Sequence, residues 1–342
     1  MSRTIHWGVL GAANIAIRHA LPGMSEAPSA TLLAIASRDP AKGRAVAQQF
    51  AIPRVYDGYA ELLADPQIDA VYIPLPNALH FEWSVRALEA GKHVLCEKPL
   101  CLSAAQVRQL CAVRERTGRH IEEAFAFRNH PQWAKAREIL ASGALGPVRA
   151  VHGTLAKQFF DPADIRNTPD GGGGGLYDMG SYAICACNMI FGRAPARVVA
   201  ALDIDPQFGT DRLSSALLDY GDGHAAFTVA TQSGGDGWGS QQQLAVLCAR
   251  GWLRFDFPYS QVRPVACRLE YGDSSGVGAQ PTAVFDFAPV NQFALQAERF
   301  SRLLLGDAVP RWPIEQSLDT LRTIESLFTS ARSGAWCSLS DC

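Results

Sequence analysis

The chain has 342 residues, 48% of them apolar and 19% charged, and a formal net charge of -2. That is ordinary globular composition with room for two domains. It offers neither a basic run for nucleic acid nor an apolar run of the ~20 residues a membrane span needs. The opening residues go straight into a strand-like pattern with no signal-peptide layout. The nine cysteines show no C-x-x-C and no zinc spacing, so reduced thiols in a cytoplasmic protein, and no metal site, are expected.

Up to about residue 125, strand-like and helix-like runs alternate. IHWGVLG (5–11) predicts a strand, and a helix pattern follows from Ile15. TLLAIAS (31–37) predicts a second strand before the polar helix PAKGRAVAQQF. AVYIPLP (70–76) is a further strand, and HFEWSVRALEAGK is an amphipathic helix that Gly91 ends. HVLCEKP is the next strand, SAAQVRQLCAVRERTG a helix capped by Ser103, and HIEEAF the last strand of this half. Such alternation predicts a parallel, doubly wound sheet.

After Phe127 the pattern changes. HPQWAKAREILASG is a helix closed by Gly143, and PVRAVHGTLAK is a strand. Five glycines (171–175) then precede a helix pattern that starts near Gly175. From Ala196 to about Phe287, Gly, Asp and Pro separate RVVAALDI, SSALLDY, HAAFTVATQ, QLAVLCA, GWLRFDF and PVACRLEY, which predicts an antiparallel sheet. NQFALQAERFSRLLLG and PIEQSLDTLRTIESLFTSAR close the chain as helices. The expected class is α/β: a dinucleotide-type domain over residues 1–125, then an α+β domain over 126–342 with an open, mostly antiparallel sheet. The last helix, about 313–332, is expected to pack back on the first domain.

Three stretches carry chemistry. Read as G-x-G-x-x-G, GVLGAANIA places Gly11, Ala13 and Ala16 at the three glycine positions. Glycine suits the tight turn, and a small second residue lets the backbone approach a pyrophosphate resting on the helix N-terminus. The cofactor-facing stretch is then Gly11, Ala12, Ala13, Asn14 and Ile15. Alanine at the second position departs from the pattern, and a plain strand–turn–helix packed with small residues looks the same. At the end of the second strand stand Ser37 and Arg38, with Asp39 next. An NAD site places an acidic residue there for the ribose; a hydroxyl with a forked guanidinium suits a 2′-phosphate, so NADP is expected ahead of NAD. The competing reading leaves Arg38 in solvent and Asp39 at the ribose. Finally, CEKPL (96–100) falls at a strand end, where ligands of doubly wound sheets bind. It aims Lys98 at the crevice ahead of a Lys-Pro bond that can be cis, although a surface Glu-Lys pair looks alike.

Together GVLGAANIA, IPLPNALH, EKP, EAFAFRNHPQ and DMGSY, in this order from the first strand to Tyr182, resemble the Gfo/Idh/MocA family of oxidoreductases. The resemblance implies a Rossmann domain followed by a domain with a large open antiparallel sheet, and NAD(P)-dependent chemistry on sugars or cyclitols. It makes Lys98 the catalytic lysine, with Glu97 and Pro99 completing its motif. It makes Leu75, Pro76, Asn77 and His80 a nicotinamide-side wall, and Arg128 and His130 further site candidates. Where many members carry D-x-x-x-H, this chain has Asp178 and Tyr182. That resembles the branch of dimeric dihydrodiol dehydrogenases and NADP xylose dehydrogenases, and disfavours inositol dehydrogenase chemistry. A homodimer or homotetramer through the open sheet face is implied as well.

Oxidising an alcohol removes a hydride, which a nicotinamide takes, and a proton, which a side chain must take. A free tyrosine, with a pKa near 10, is a weak base at neutral pH; a nearby ammonium favours its phenolate. Lys98 and Tyr182 are therefore expected as an acid/base pair, with either one as the proton carrier. Asp178, one helical turn before Tyr182, is expected to bind a substrate hydroxyl or hold Lys98; a carboxylate near a helix N-terminus is also favoured by the dipole alone. The glycine run is expected to let a loop pass close to the substrate, and to hinge. Proximity adds Phe159, Phe160, Arg166 and Asn167 as pocket lining, Arg166 for a substrate anion or facing solvent. The expected activity is an NADP-dependent sugar or diol oxidoreductase. The alternatives are an NADPH-dependent ketoreductase of nucleotide-linked sugars, an NAD-dependent glycosidase and a non-catalytic sensor. Ser37-Arg38 argues against the glycosidase, and the presence of both Lys98 and Tyr182 against the sensor.

Overall fold

The structure, a computed structural model, describes residues 3–233, 241–259, 266–273 and 280–341. The chain divides into two compact units, Met1–Ala126 with Asn291–Ser317, and Phe127–Val290 with Leu318–Cys342.

The first unit holds strands β1 (Ile5–Leu10), β2 (Ala30–Ala36), β3 (Arg54–Tyr56), β4 (Ala70–Ile73), β5 (His93–Cys96) and β6 (Ile121–Glu123). Between them lie α1 (Leu21–Glu26), α2 (Pro40–Gln49), α3 (Tyr59–Ala64), α4 (Asn77–Glu89) and α5 (Ala104–Thr117). The strands pair parallel throughout in the order β3-β2-β1-β4-β5-β6. This is the doubly wound order of a dinucleotide-binding domain. Its direction reverses between β1 and β4, and ligands bind beyond the strand ends at that point. β3 and α3 were not anticipated; at three and six residues they are too short for a periodicity signal.

The second unit holds α6 (Pro131–Ala141), β7 (Val148–Ala156), α7 (Ser181–Phe191), β8 (Arg197–Ile204), β9 (Asp211–Asp219), β10 (His224–Ala230), β11 (Gln241–Cys248), β12 (Gly251–Asp256), β13 (Cys267–Asp273), β14 (Ala283–Phe287) and the short β15 (Cys337–Ser338). Among the described residues they form one nine-stranded sheet in the order β14-β13-β12-β11-β7-β10-β9-β8-β15. Its pairs are antiparallel except β7 with β10, which run parallel. β9 begins at Asp211, three residues before the predicted run, and that extension reaches the site. Pro264 and Val265 of the PVACRLEY run lie outside the described residues. β14 was missed because it is a half-exposed edge strand with little apolar contrast.

The closing helices are α8 (Gln292–Leu304) and α9 (Glu315–Ser333). α8 belongs to the first unit. It buries Ala297, Phe300 and Leu303 in a cluster with Trp7, Leu21 and Met24. The Phe300 ring lies 5.6 Å from Trp7, whose indole donates to Ser301 Oγ at 3.1 Å. At Gly23 of α1 an added Cβ would come within 2.7 Å of Phe293 and Ala294, so a side chain there would hold the two helices apart. The helix that returns to the first unit is thus α8. The last helix divides between the units: its start up to Ser317 belongs to the first, and Leu318 onward, with buried Thr320, Leu321, Ile324 and Leu327, to the second. No described helix is long and apolar enough to cross a membrane.

Phe300 is fully buried, so Phe300→Ala is expected to cost about 3–5 kcal/mol in urea unfolding. Leu295→Ala, on the exposed side of the same helix, should stay within about 0.5 kcal/mol.

Candidate active site

The first unit supplies a bare turn after β1. Gly11 sits at φ +109°, its N–H donates to Ala36 O at 2.8 Å, and a Cβ there would come within 3.0 Å of Leu75. Ala12 and Ala16 are buried, while Asn14 is exposed at the start of the following helical turn. A turn without side chains at a helix N-terminus fits a pyrophosphate. At the end of β2, Ser37 is buried and accepts from Asp39 N at 3.2 Å. Asp39 in turn caps α2 by accepting from Lys42 N at 3.0 Å. That carboxylate has local work, and Arg38 beside it is exposed. The arrangement suits a 2′-phosphate better than a bare ribose.

The end of β5 is held from three sides. Tyr72 donates from its hydroxyl to Glu97 Oε1 at 2.7 Å, and Lys98 N donates to Glu97 Oε2 at 3.3 Å. Leu100 N donates to Glu123 Oε1 at 2.9 Å, and Ser317 Oγ donates to Glu123 Oε2 at 2.6 Å. Pro99, which follows a cis bond from Lys98, has its carbonyl 2.7 Å from His80 Nδ1. His80 Nε2 lies 2.7 Å from Leu75 O. Burial, then Lys98, pushes the pKa of His80 down, while the two carbonyls oppose the shift. His80 is fully buried with both nitrogens on backbone carbonyls, so it braces two loops. Pro76 and Asn77 remain partly exposed. Glu123 and Tyr72 were missed by sequence reasoning; two adjacent glutamates inside a short, buried edge strand were the available signal.

In the second unit the glycine run is packed tightly. A Cβ on Gly173 would lie 2.5 Å from Arg166 O, and one on Gly174 2.0 Å from Asp211 Oδ1. Gly174 also sits at φ +104°. Close approach, as the sequence suggested, is what Gly173 and Gly174 supply. The helix after them opens with a π-wound turn, Leu176–Gly180, before α7. Asp178 and Tyr182 therefore span a wider turn than α-helical spacing predicts.

Arg166 is an ion-pair partner. Its Nε donates to Asp178 Oδ2 at 2.6 Å and its Nη1 to Asp164 Oδ1 at 3.1 Å, and the guanidinium lies 4.1 Å from the centre of the Phe159 ring. Burial opposes its charge, but the two carboxylates prevail and push its pKa further up. Arg166 does not face solvent alone: two carboxylates engage it. Tyr182 is half-buried, its ring 5.7 Å from Phe127 and 6.4 Å from Tyr259. Phe160 is exposed, and Asn167 ties the local loop through Phe159 O and Asp161 O. Arg128 and His130 are both buried. Arg128 donates to Cys185 Sγ at 2.9 Å. His130 Nδ1 caps α6 by accepting from Gln132 N at 3.2 Å, and burial lowers its pKa to about 4. Among the described residues no group of side chains could hold a metal ion.

Residues 5–125 match the oxidoreductase family with NAD-binding Rossmann fold, and residues 133–254 match the GFO/IDH/MocA C-terminal domain. The chain belongs to this family of oxidoreductases. It is 41% identical to an uncharacterized oxidoreductase of Rhizobium meliloti, over 97% of this chain and 98% of the relative. It is 36% identical to a D-xylose 1-dehydrogenase (NADP(+)) of Haloferax volcanii, over 96% and 98%. The solved 3-ketoreductase of Actinomadura kijaniata, in complex with NADP and TDP-benzene, matches with a TM-score of 0.84 at 30% identity, covering 96% of this chain and 98% of that one. That enzyme was also solved with one lysine exchanged for alanine and, separately, one tyrosine exchanged for phenylalanine.

The packing at Gly174 predicts that Gly174→Ala costs about 3 kcal/mol or more in urea unfolding. Gly118→Ala, also at positive φ but with open space around it, should cost only about 1–2 kcal/mol.

Proposed function

We propose that the protein is an NADP(H)-dependent oxidoreductase that moves a hydride between nicotinamide and a carbon of a sugar or vicinal diol. Lys98 and Tyr182 act as its acid/base pair. The observation that carries the reading is the support around Lys98: Glu97, His80 and Glu123 each hold a different atom of the segment that presents the ammonium. A second support is that the lysine and tyrosine exchanged in the Actinomadura ketoreductase are separated along its chain as Lys98 and Tyr182 are here.

Each residue then has a task. The Gly11 turn receives the pyrophosphate, and Ser37 with Arg38 receives the 2′-phosphate. The nicotinamide, when bound, accepts or gives the hydride. Tyr182 takes the hydroxyl proton in oxidation and returns it in reduction, and the Lys98 ammonium stabilises the phenolate and the reacting oxygen. Asp178, paired with Arg166, accepts a hydrogen bond from a neighbouring substrate hydroxyl.

A second reading, ketoreduction of a nucleotide-linked sugar, is favoured by the likeness to the enzyme solved with TDP-benzene. Arg166 lends it nothing, since two carboxylates already hold that guanidinium. The glycosidase reading loses support because Asp39 caps α2. We also propose a homodimer or homotetramer through the open sheet face, a trough of about 790 Å³ lined by His152, Thr154, Ala226, Gln243 and Arg254. Light scattering should give a dimer or tetramer, with Ala226→Arg shifting it toward monomer; a monomeric wild type contradicts the proposal.

Nicotinamide absorbance with aldoses and vicinal diols tests the main reading. Turnover with NADP⁺ should exceed that with NAD⁺ at least ~10-fold in kcat/KM, and Arg38→Ala should erase the preference. Lys98→Ala and Tyr182→Phe should each lower kcat ~10²–10⁴-fold. Turnover only on a TDP-linked ketosugar would favour the second reading, and a preference for NAD⁺ would overturn the role of Arg38.

A further inference from the structure

Asp211, the first residue of β9, is only 3% exposed. Leu176 N donates to its Oδ2 at 2.8 Å and Ser214 Oγ donates to the same oxygen at 2.5 Å. The Gly175 N–H is a further donor. All the groups that favour its charge are hydrogen-bond donors rather than cations. Gly174 packs against the other oxygen so closely that no side chain fits. The carboxylate thus grips the glycine run and the first turn of the helix that carries Asp178 and Tyr182.

We propose that Asp211 is a positioning residue: in its ionised form it sets where that helix begins, and hence where Tyr182 and Asp178 sit, without touching the substrate. This rests on the assignment of Tyr182 and Asp178 to the chemistry. Burial raises the pKa of Asp211 to about 6, from an ordinary value of 3.8. The folded chain therefore binds this proton more readily than the unfolded chain. The stabilising contribution is full below about pH 4 and is lost as the pH rises through about 6. At neutral pH the ionised carboxylate weakens the fold, so stability alone does not call for it; a residue kept at such a cost fits a positional demand. Its charged and titratable surroundings are Tyr177, in the same π-turn, and Glu325 of α9, which faces Tyr177. Burial, then Glu325 and Asp211, pushes the Tyr177 phenol up to about 12. Tyr177, pushed up to about 12, keeps its proton across that range. Protonation places an O–H among groups that already donate, and the grip on Gly175 and Leu176 weakens.

Asp211→Asn tests this, because its amide sets an N–H against backbone N–H donors in nearly the same volume. With the NADP⁺-bound enzyme and its best sugar or diol, wild-type kcat should fall below about pH 6 while KM for NADP⁺ stays unchanged. Asp211→Asn should lower kcat at pH 7.5 about 10–100-fold and flatten that acid limb. Wild-type kcat and an intact acid limb in Asp211→Asn would overturn the proposal. A readout independent of turnover covers a variant that fails to fold, or failure of the functional assignment. Near-UV circular dichroism of the wild type reports the Tyr182, Tyr259, Phe127 and Trp133 cluster. A transition centred near pH 6 supports the role of Asp211, and a flat signal from pH 7 to 5 overturns it.

Discussion

The segment Glu97 to Leu100 is the constraint on which the proposed role of Lys98 depends. A lysine side chain is long and flexible, and fixing it in one direction costs up to about 2 kcal/mol of rotamer entropy. The fold holds the backbone on either side of it. Glu97 is fixed by Tyr72 from β4, Pro99 by His80 from α4, and Leu100 by Glu123 from β6, which Ser317 steadies in turn. Three neighbouring elements thus aim one side chain beyond the strand ends, where a doubly wound sheet receives its ligands.

The second half is built on a different principle. Asp178 and Tyr182, the candidates there, stand on a helix whose start is pinned from outside by Asp211 and whose Asp178 is pinned by Arg166. Five glycines in a row make a poor helix and a poor strand. Here they are compressed: the run passes the carbonyls of Ile165, Arg166 and Thr168 and the carboxylate of Asp211 at distances no Cβ tolerates. The floppiest stretch of sequence becomes a tightly packed stretch of structure, because only residues without side chains fit there.

Much of this was legible in the chain. The alternation of runs up to residue 125 specified the parallel sheet, and the antiparallel strands followed from their separating Gly, Asp and Pro residues. The short β3 and α3 and the edge strand β14 carry too little periodic signal to be seen. Lys98, Tyr182 and Asp178 stood out because their residue types carry chemistry. The residues that support them did not, because Glu123, Asp164 and Asp211 are ordinary carboxylates until folding brings donors to them over tens of residues. His80 and Arg166 were noticed for their residue types, and the structure adds the carbonyls and carboxylates that hold them. Polarity in sequence does not distinguish a side chain that meets a ligand from one that holds a loop; that depends on what lies within 3 Å of it.

The central claim is that Lys98 makes the phenol of Tyr182 a usable base. Phenolate absorbance of the NADP⁺-bound protein against pH tests it directly, the wild type minus Tyr182→Phe isolating one of eight tyrosines. The background is favourable, since burial pushes Tyr177, Tyr220 and Tyr259 upward. The account predicts that Tyr182 ionises well below the free-tyrosine value of about 10 and rises by about one unit or more in Lys98→Ala. A midpoint at or above 10, unmoved by Lys98→Ala, would contradict it.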